Sequence, residues 1–264
     1  MGNSQNNANN KFAEVIRNSE SWTSRDENVC AILKDEDCAI CAMASKQIYE
    51  GEDTLSQSMR LAFGERGYTV LREKYFDGKL HNEHDVECHQ PMSTFIYRPT
   101  RGGPCKMLIT FRGSVTATDW VTNADAAPIR SPLWGDKEEL PHVKVHKGWV
   151  GAVWDRYAEK VLGWDLETGE LSAPELLKEF NVEKILFAGH SLGGALAQIA
   201  SLAAMVKLPK LLGELKIVPK VRTFVFAAPM PFHFNEERLN SKEEKVLANY
   251  TDSSYNIVFD MDVV

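Results

Sequence analysis

A serine flanked by glycines, placed directly after an apolar run, restricts this chain to few architectures. Residues 185–188 read Ile-Leu-Phe-Ala, and residues 189–194 read Gly-His-Ser-Leu-Gly-Gly. This is the Gly-x-Ser-x-Gly pattern of a nucleophile elbow, a strained turn from a strand into a helix, whose glycines remove Cβ atoms that would collide. The pattern predicts that Ser191 projects into a site. There the N-terminus of the following helix favours the negative charge that develops in acyl transfer.

The surroundings of the turn also permit a second interpretation, a membrane span. No residue from Ile185 to Val206 is charged, so length and hydropathy alone are compatible with a spanning helix. The glycine cluster interrupts regular structure, however, and Gln198 would need a polar partner in lipid. Apolar residues after the turn recur with helical spacing, and the four before it suit a buried parallel strand. We therefore predict strand, sharp turn and buried helix, with Ser191 as the nucleophile.

Composition favours an intracellular enzyme and disfavours nucleic acid as a partner. The chain has 264 residues with 44% hydrophobic content, enough to bury the core of one α/β domain. Its net charge of −7 comes from interspersed acids and bases without a long basic block, which disfavours nucleic-acid binding. Five cysteines and no apolar N-terminal segment give no sign of secretion or a disulfide framework. We expect a cytoplasmic location.

The N-terminal residues and the cysteines allow two further hypotheses. Residues 1–12 are polar and Asn-rich, which predicts a disordered tail. Gly2 fits an N-myristoylation signal only in part, because Asn6 stands where Ser or Thr is expected, and lipidation stays open. Cys38 and Cys41 could form half of a zinc site, but the other cysteines supply no second pair at ligand spacing. We expect buried thiols on a helix and no metal.

Strand and helix patterns alternate through the second half of the chain, which predicts a mostly parallel sheet covered on both faces. Helices are predicted near 36–50, 55–65, 236–249, after 146 and after the turn at Ser191. Ser172 and Glu175 form a capping box that opens one more. Strands are predicted near 68–72, 93–98, 106–111, 142–146, 185–188, 221–227 and 254–259.

A second stretch supplies a partner for the elbow. Residues 107–114, Met-Leu-Ile-Thr-Phe-Arg-Gly-Ser, read as a buried strand that ends in a glycine turn. It lies upstream of the elbow, as the partner loop of an oxyanion hole should. The backbone N–H of Ser114, with its hydroxyl as a further donor, is predicted to bind the substrate oxygen together with the N–H of Leu192. Residues 115–123, polar with one aromatic residue, suit a lid.

Four stretches of the chain form a family pattern. They are Phe-Arg-Gly-Ser at 111–114 with Asp119 and Trp120, Val-Lys-Val-His-Lys-Gly-Trp at 143–149, the elbow, and Thr-Phe-Val-Phe-Ala-Ala-Pro at 223–229. In this order and at this spacing they resemble the class 3 lipases, the fungal-lipase-like branch of the α/β hydrolases. The resemblance covers residues from about 40 to the C-terminus. It implies an α/β-hydrolase-type fold, a mostly parallel central sheet flanked by helices.

The resemblance also implies an activity. A class 3 lipase is a serine carboxyl-ester hydrolase that cleaves acylglycerols or related lipids through an acyl-enzyme. Ser191 would be the nucleophile, and Ser114 and Leu192 would form the oxyanion hole beside a mobile lid. No metal or organic cofactor is expected. The expected partners are a lipid or ester substrate and, transiently, a membrane or lipid-droplet surface.

The acid of the triad is sought after a late strand, because in this fold it follows the serine in the chain. Residues 257–264, Ile-Val-Phe-Asp-Met-Asp-Val-Val, fit the family's pattern of an apolar strand followed by Asp. Alignment favours Asp262, with Asp260 as the alternative, while Asp252 precedes the strand. A buried Asp here would hold the imidazole in the required tautomer.

The catalytic histidine is where this chain departs from the family pattern. Family members carry it several tens of residues after the acid, and the sequence stops two residues beyond Asp262. We therefore expect residues 13–264 to be one domain whose C-terminal part is missing, with the histidine beyond Val264. The alternative is a catalytically incomplete, hydrolase-like protein that binds lipid or a partner. We assign no general base among His81, His84, His89, His142, His146, His190 and His233.

Overall fold

The helices and strands follow the predicted alternation. The computed structural model describes residues 32, 34–76, 79–80, 88–89, 91–114, 127–131, 133, 139–153, 173–212 and 218–258. Its helices are α1 (Glu36–Gln47), α2 (Glu52–Glu65), α3 (Lys147–Val153), α4 (Ala173–Glu179), α5 (Leu192–Leu212) and α6 (Ser241–Ser253). Its strands are β1 (Tyr68–Phe76), β2 (Lys79–Leu80), β3 (Cys88–His89), β4 (Met92–Pro99), β5 (Cys105–Phe111), β6 (Pro128–Arg130), β7 (Lys144–His146), β8 (Val182–His190), β9 (Lys220–Phe226), β10 (Phe232–His233) and β11 (Ser254–Ile257).

A six-stranded sheet in the order β1-β4-β5-β8-β9-β11 organises these elements. The pairs β1·β4 and β4·β5 are antiparallel. The pairs β5·β8, β8·β9 and β9·β11 are parallel, so the carboxyl ends of four strands lie at one edge. The predicted mostly parallel central sheet flanked by helices is confirmed.

Residues along the central strands alternate between two apolar cores. In β8, Ile185 and Phe187 face the core that contains α5, whereas Leu186 and Ala188 face the core that contains α1. This alternation is why β8 is apolar at consecutive positions: both of its faces are covered. The sheet therefore separates α1 and α2 from α5.

The uncharged run after Ser191 is a core helix. By length and composition, α5 is the one helix among the described residues that could cross a membrane, but 83% of its apolar window, Leu192–Lys210, is buried inside the protein. Gln198 donates a hydrogen bond from Nε2 to the carbonyl oxygen of Pro229 at 3.2 Å. The polar partner that Gln198 needs is therefore a backbone carbonyl of the same chain.

A buried ionic cluster attaches α1 to the sheet. The carboxylate of Asp37, in the first turn of α1, contacts Lys106 at 2.8 Å, Lys184 at 2.7 Å and Arg222 at 3.0 Å. These cations lie on β5, β8 and β9. Burial raises the pKa of the Asp37 carboxyl, but hydrogen bonds and charges from Lys106 and Lys184 outweigh it, so the pKa is lowered. The cluster fixes α1, and hence the turn after it, relative to three central strands.

Some features differ from the sequence-based expectation. Strands β6, β7 and β10 form a separate three-stranded sheet, of which only β7 was predicted. The helix predicted near 236–249 is a 3₁₀ turn over Glu236–Arg238 followed by α6, because Asn240 and Glu243 form a capping box that starts a new helix. Cys38 and Cys41 are buried free thiols on α1, as expected. The predicted tail, the lid and the Ser172 cap lie outside the described residues.

Candidate active site

Ser191 lies in a strained turn between β8 and α5. Its φ angle is 53°, a left-handed conformation that residues with a Cβ rarely adopt. Two neighbours hold it there: its N–H donates to the carbonyl oxygen of Phe226 at 2.9 Å, and its own carbonyl accepts from the N–H of Gly194 at 2.9 Å. The side chain is partly exposed, while Leu192 is buried. The strand-turn-helix geometry of a nucleophile elbow is therefore present around Ser191.

The glycines of the motif allow backbone segments to pack without side chains between them. A Cβ on Gly193 would lie 2.7 Å from the carbonyl carbon of Arg112 and 2.8 Å from the nitrogen of Gly113, and one on Gly189 would meet the backbone of Gly193. Backbone atoms cannot move aside as the end of a side chain can. The start of α5 therefore lies directly against the segment that follows β5.

That segment contains the predicted oxyanion partner. Ser114 follows Gly113 at the carboxyl end of β5, and β5 pairs with β8 so that Phe111 lies beside Gly189. The Oγ atom of Ser114 is buried and has no hydrogen-bond partner among the described residues. A buried hydroxyl without a partner is costly in a folded protein, and such groups are common where a ligand is to be bound.

Tyr49 contacts both halves of the site, and no sequence pattern had singled it out. It lies in the 3₁₀ turn Ile48–Glu50 after α1. Its phenol oxygen accepts a hydrogen bond from the N–H of Gly113 at 3.1 Å and lies 3.2 Å from Nδ1 of His190. These contacts span 64 and 141 residues of sequence, so local patterns carry no signal for them.

The histidines described by the structure have other neighbours than Ser191. His190 is exposed and its ring is directed to Tyr49. His142 is hydrogen-bonded through Nδ1 to the buried Glu243 at 2.8 Å. His146 is buried and stacked on Trp149 with ring centroids 3.9 Å apart, and His233 is exposed on β10. Among the described residues none of these four histidines is hydrogen-bonded to Ser191, and His81, His84 and the side chain of His89 lie outside the description.

The strand that leads to the predicted acid ends at the same edge as the elbow. β11 lies parallel to β9, and the carbonyl oxygen of Ile257 accepts a hydrogen bond from the N–H of Ala227 at 2.9 Å. Asn256 binds both backbone groups of Ala228 through its side-chain amide, at 3.2 and 2.7 Å. Asp260 and Asp262 themselves lie outside the described residues. Asp252 precedes β11, at the opposite edge.

In chemical terms, the described residues offer a strained serine, two nearby backbone segments with N–H donors, and a buried hydroxyl. These are the elements of acyl transfer, in which a serine attacks a carbonyl and N–H groups stabilise the oxyanion. Within the described ranges no group of three or more His, Cys, Asp or Glu side chains is placed to hold a metal ion. The geometry is compatible with the predicted roles, Ser191 as nucleophile and Ser114 and Leu192 as oxyanion donors. These roles stay predictions.

Known proteins share this pattern. The family profile described as lipase (class 3) matches residues 108–264. LIH1 of Saccharomyces cerevisiae, named as a candidate lipase, is 30% identical over 112 residues, 38% of this chain and 31% of that protein. The chloroplastic galactolipase DONGLE of Arabidopsis thaliana is 32% identical over 104 residues, 38% of this chain and 22% of that protein. This chain thus spans less than a third of the length of these curated relatives.

A solved structure shares the fold. The crystal structure of M37 lipase matches 88% of this chain and 68% of its own, with a TM-score of 0.53 and 15% sequence identity. At that identity the likeness bears on the arrangement of helices and strands. It confirms the α/β-hydrolase-type architecture that the four stretches of sequence had implied.

Proposed function

Because this chain belongs to the lipase (class 3) family, we propose that it carries the acyl-transfer site of a serine carboxyl-ester hydrolase acting on acylglycerols or related lipids. The observation that carries the proposal is the strained Ser191, held between β8 and α5, with the Gly113–Ser114 segment packed against the same turn. Strain of this kind persists only where the surrounding structure imposes it, and it is concentrated at active sites.

The proposed reaction has two steps. The Oγ atom of Ser191 loses its proton to a base and attacks the ester carbonyl carbon, while the N–H groups of Leu192 and Ser114 receive the negative oxygen. Collapse of this intermediate expels the alcohol, which takes a proton from the protonated base. Water then attacks the acyl-enzyme and releases the fatty acid. We place the base outside the described residues and keep Asp262, with Asp260 as the alternative, as the acid that orients it.

The relatives support a lipid ester as the substrate. One is named as a candidate lipase and the other as a galactolipase, and both names imply fatty-acyl esters of a glycerol backbone. We therefore propose glycerolipids as the substrate class. Hydrolysis of triacylglycerol, phospholipid and galactolipid emulsions, compared at equal acyl composition, would rank these headgroups. Activity on none of the three, with activity on a soluble ester, would contradict a lipid substrate.

We further propose a cytoplasmic protein that binds transiently to a membrane or lipid-droplet surface. Two large apolar side chains in the segment after β9, Met230 and Phe234, are 66% and 43% exposed. Buried free thiols at Cys38, Cys41 and Cys105 suit a reducing compartment. Flotation with phosphatidylcholine vesicles and imaging of the tagged protein test the proposal. A protein that does not float with vesicles would contradict the membrane binding, and one found outside the cytoplasm would contradict the location.

Ser191→Ala tests the nucleophile. We expect the variant to lose hydrolysis of a 4-nitrophenyl ester by about 10⁶-fold, because the residues of a triad act as a unit. It should also lose covalent labelling by a fluorophosphonate probe. The matched control is Ser241→Ala, an exposed serine at the start of α6, which should keep both activity and labelling. A Ser191→Ala protein with full esterase activity would refute the assignment.

The same probe locates the base. Labelling of the 264-residue chain would show that a base within it activates Ser191. If the reading frame continues past Val264, labelling restricted to the longer product would show that residues beyond Val264 supply the base. A protein that is folded, binds lipid vesicles and is labelled in neither form would instead be a hydrolase-like binding protein.

A further inference from the structure

Tyr49 lies behind the proposed oxyanion hole, where three separate parts of the chain meet. Its ring is half-buried and edge-on to the imidazole of His190, with centroids 6.1 Å apart. Its phenol oxygen lies 3.1 Å from the nitrogen of Gly113 and 3.2 Å from Nδ1 of His190. Gly113 precedes Ser114, and His190 precedes Ser191. One hydroxyl thus contacts the residue before each predicted functional serine.

The hydrogen bonding of this hydroxyl restricts both backbone segments. The N–H of Gly113 can only donate, so the phenol oxygen accepts from it and keeps its own proton able to reach Nδ1 of His190. Gly113 is a residue with wide backbone freedom, and this bond fixes the peptide group immediately before it. The peptide group after it carries the N–H of Ser114. Holding the first peptide therefore limits the directions in which the second can point.

The packing around Gly113 shows that the contact is built tightly. A Cβ on Gly113 would collide with the phenol oxygen and lie 2.5 Å from the carbonyl oxygen of His190. A glycine is therefore needed at this position because Tyr49 and the elbow occupy the space of a side chain. The ionic cluster at Asp37 fixes α1, the helix that leads into the turn containing Tyr49.

We propose that Tyr49 is a positioning residue. It holds the N–H of Ser114 in the orientation in which this donor and the N–H of Leu192 point at the same oxyanion. This inference rests on the proposed function. Oxyanion donors accelerate reaction because they are oriented before charge develops, and a donor free to rotate loses part of that advantage. Tyr49 itself touches no substrate atom; it acts through Gly113.

Tyr49→Phe removes the hydroxyl and keeps the ring. We expect kcat for a 4-nitrophenyl ester to fall about 10- to 100-fold, less than the 10²- to 10³-fold typical when an oxyanion donor is removed outright, with KM nearly unchanged. The rate on the corresponding thionoester distinguishes this role from a merely structural one, because the thiocarbonyl sulfur is a poor hydrogen-bond acceptor. Tyr49→Phe should slow the thionoester by less than about 3-fold, because weak acceptors gain little from the hole in either protein.

Two further variants complete the experiment. Tyr250→Phe, which removes a buried hydroxyl on α6, is the matched control and should leave both rates unchanged. His190→Ala removes Nδ1 as a partner of the phenol from an exposed position, where loss of folding is not expected. It should give a smaller loss with the same preference for the oxygen ester.

The outcomes separate this inference from the proposed function. Equal losses on oxygen ester and thionoester, or no loss in Tyr49→Phe, would overturn the role of Tyr49 while Ser191 remains the nucleophile. Hydrolysis that survives Ser191→Ala, or no hydrolysis by either the unmodified 264-residue chain or a longer product that carries the base, would overturn both. Thermal unfolding of each variant shows whether it has kept its fold. If Tyr49→Phe has not, the ratio of oxygen-ester to thionoester rates in His190→Ala decides the question instead.

Discussion

Ser191 and the glycines around it adopt conformations set by backbone packing. Ser191 has a positive φ, and so does Ala227, which follows β9 beside it. Gly193 has no room for a side chain because the end of β5 lies against it. The chain is strained at these two adjacent strand ends because it turns sharply there and directs a side chain out of the sheet edge. Hydrogen bonds on either side maintain the strained conformations.

Gly193→Ala tests this packing. The added methyl group would press on the backbone of Phe111, Arg112 and Gly113, so the start of α5 must shift. We expect a loss of about 1–3 kcal/mol in the free energy of unfolding, as for other overpacked sites. Displacement of the Leu192 N–H should also lower kcat about 10²-fold. Denaturant unfolding and ester hydrolysis measure the two effects.

Gly64→Ala is the matched control. Gly64 lies within α2, and a Cβ there would meet nothing within 4 Å. We expect the substitution to raise the free energy of unfolding by up to about 1 kcal/mol, since alanine is the better helix former. Equal stability of Gly193→Ala and the unmodified protein would contradict this packing of α5 against the end of β5.

At the scale of elements, α1 is bound to the sheet by charge as well as by apolar contacts. Asp37 is buried beneath three cations from three strands, and Asp35 adds a contact to Arg222 at 2.7 Å. In a complete buried ion pair the attraction between the charges roughly offsets the cost of removing them from water. Removing one partner leaves the other charge buried and uncompensated. The cluster therefore stabilises one position of α1, and with it the position of Tyr49.

Asp37→Asn should destabilise the protein strongly. We expect a loss of about 3–5 kcal/mol in the free energy of unfolding, because three cations lose their buried partner. The pKa of Asp37 is lowered on folding, so its contribution is present above the ordinary pKa of 3.8 and is lost as pH falls through the lowered value. Denaturant unfolding between neutral and acidic pH would show the acid-dependent part disappear in the variant.

A half-buried carboxylate with an exposed partner supplies the comparison for Asp37. Glu73 on β1, whose side chain is 26% exposed, pairs with Arg60 at 3.0 Å, and the Arg60 side chain is 56% exposed. We expect Glu73→Gln to cost less than about 1 kcal/mol, as is usual for surface pairs. Similar losses from Glu73→Gln and Asp37→Asn would show that burial of Asp37 contributes little.

At the scale of the whole molecule, the parallel strands bring distant segments to one edge. The carboxyl ends of β5, β8, β9 and β11 carry Ser114, Ser191, Ala227 and the chain that leads to the predicted acid. In open α/β sheets ligands bind outside the carboxyl ends of the strands. The fold thus brings to this edge Ser114 and Ser191, which are more than 70 positions apart in the sequence.

Asp262→Asn tests the predicted acid. We expect kcat for a soluble ester to fall about 10⁴-fold with little change in fold, because the histidine would lose the partner that sets its tautomer. Asp260→Asn is the paired variant and should keep most activity. The opposite ranking of the two variants would assign the acid to Asp260, and full activity in both would remove residues 260–262 from the triad.

Most strands and helices could be predicted because their signals are local. The apolar run before Ser191 and the helical spacing after it correspond to β8 and α5. The polar helix was predicted as one element, because the capping box that splits it from the preceding 3₁₀ turn depends on side-chain orientation. Asp37 reads in sequence as an ordinary acidic residue in a first turn; only the three strands beneath it make it a buried anchor.

By itself, the sequence determined the family, the position of the elbow and the order of the elements, since these depend on residue types and spacings within short segments. The tertiary structure decided which segments meet at the elbow. Tyr49 bonds to Gly113 and lies against His190 across 64 and 141 residues, and Gly193 abuts the end of β5. Contacts of this kind depend on how the sheet and helices pack in three dimensions, and local periodicity contains no information about that packing.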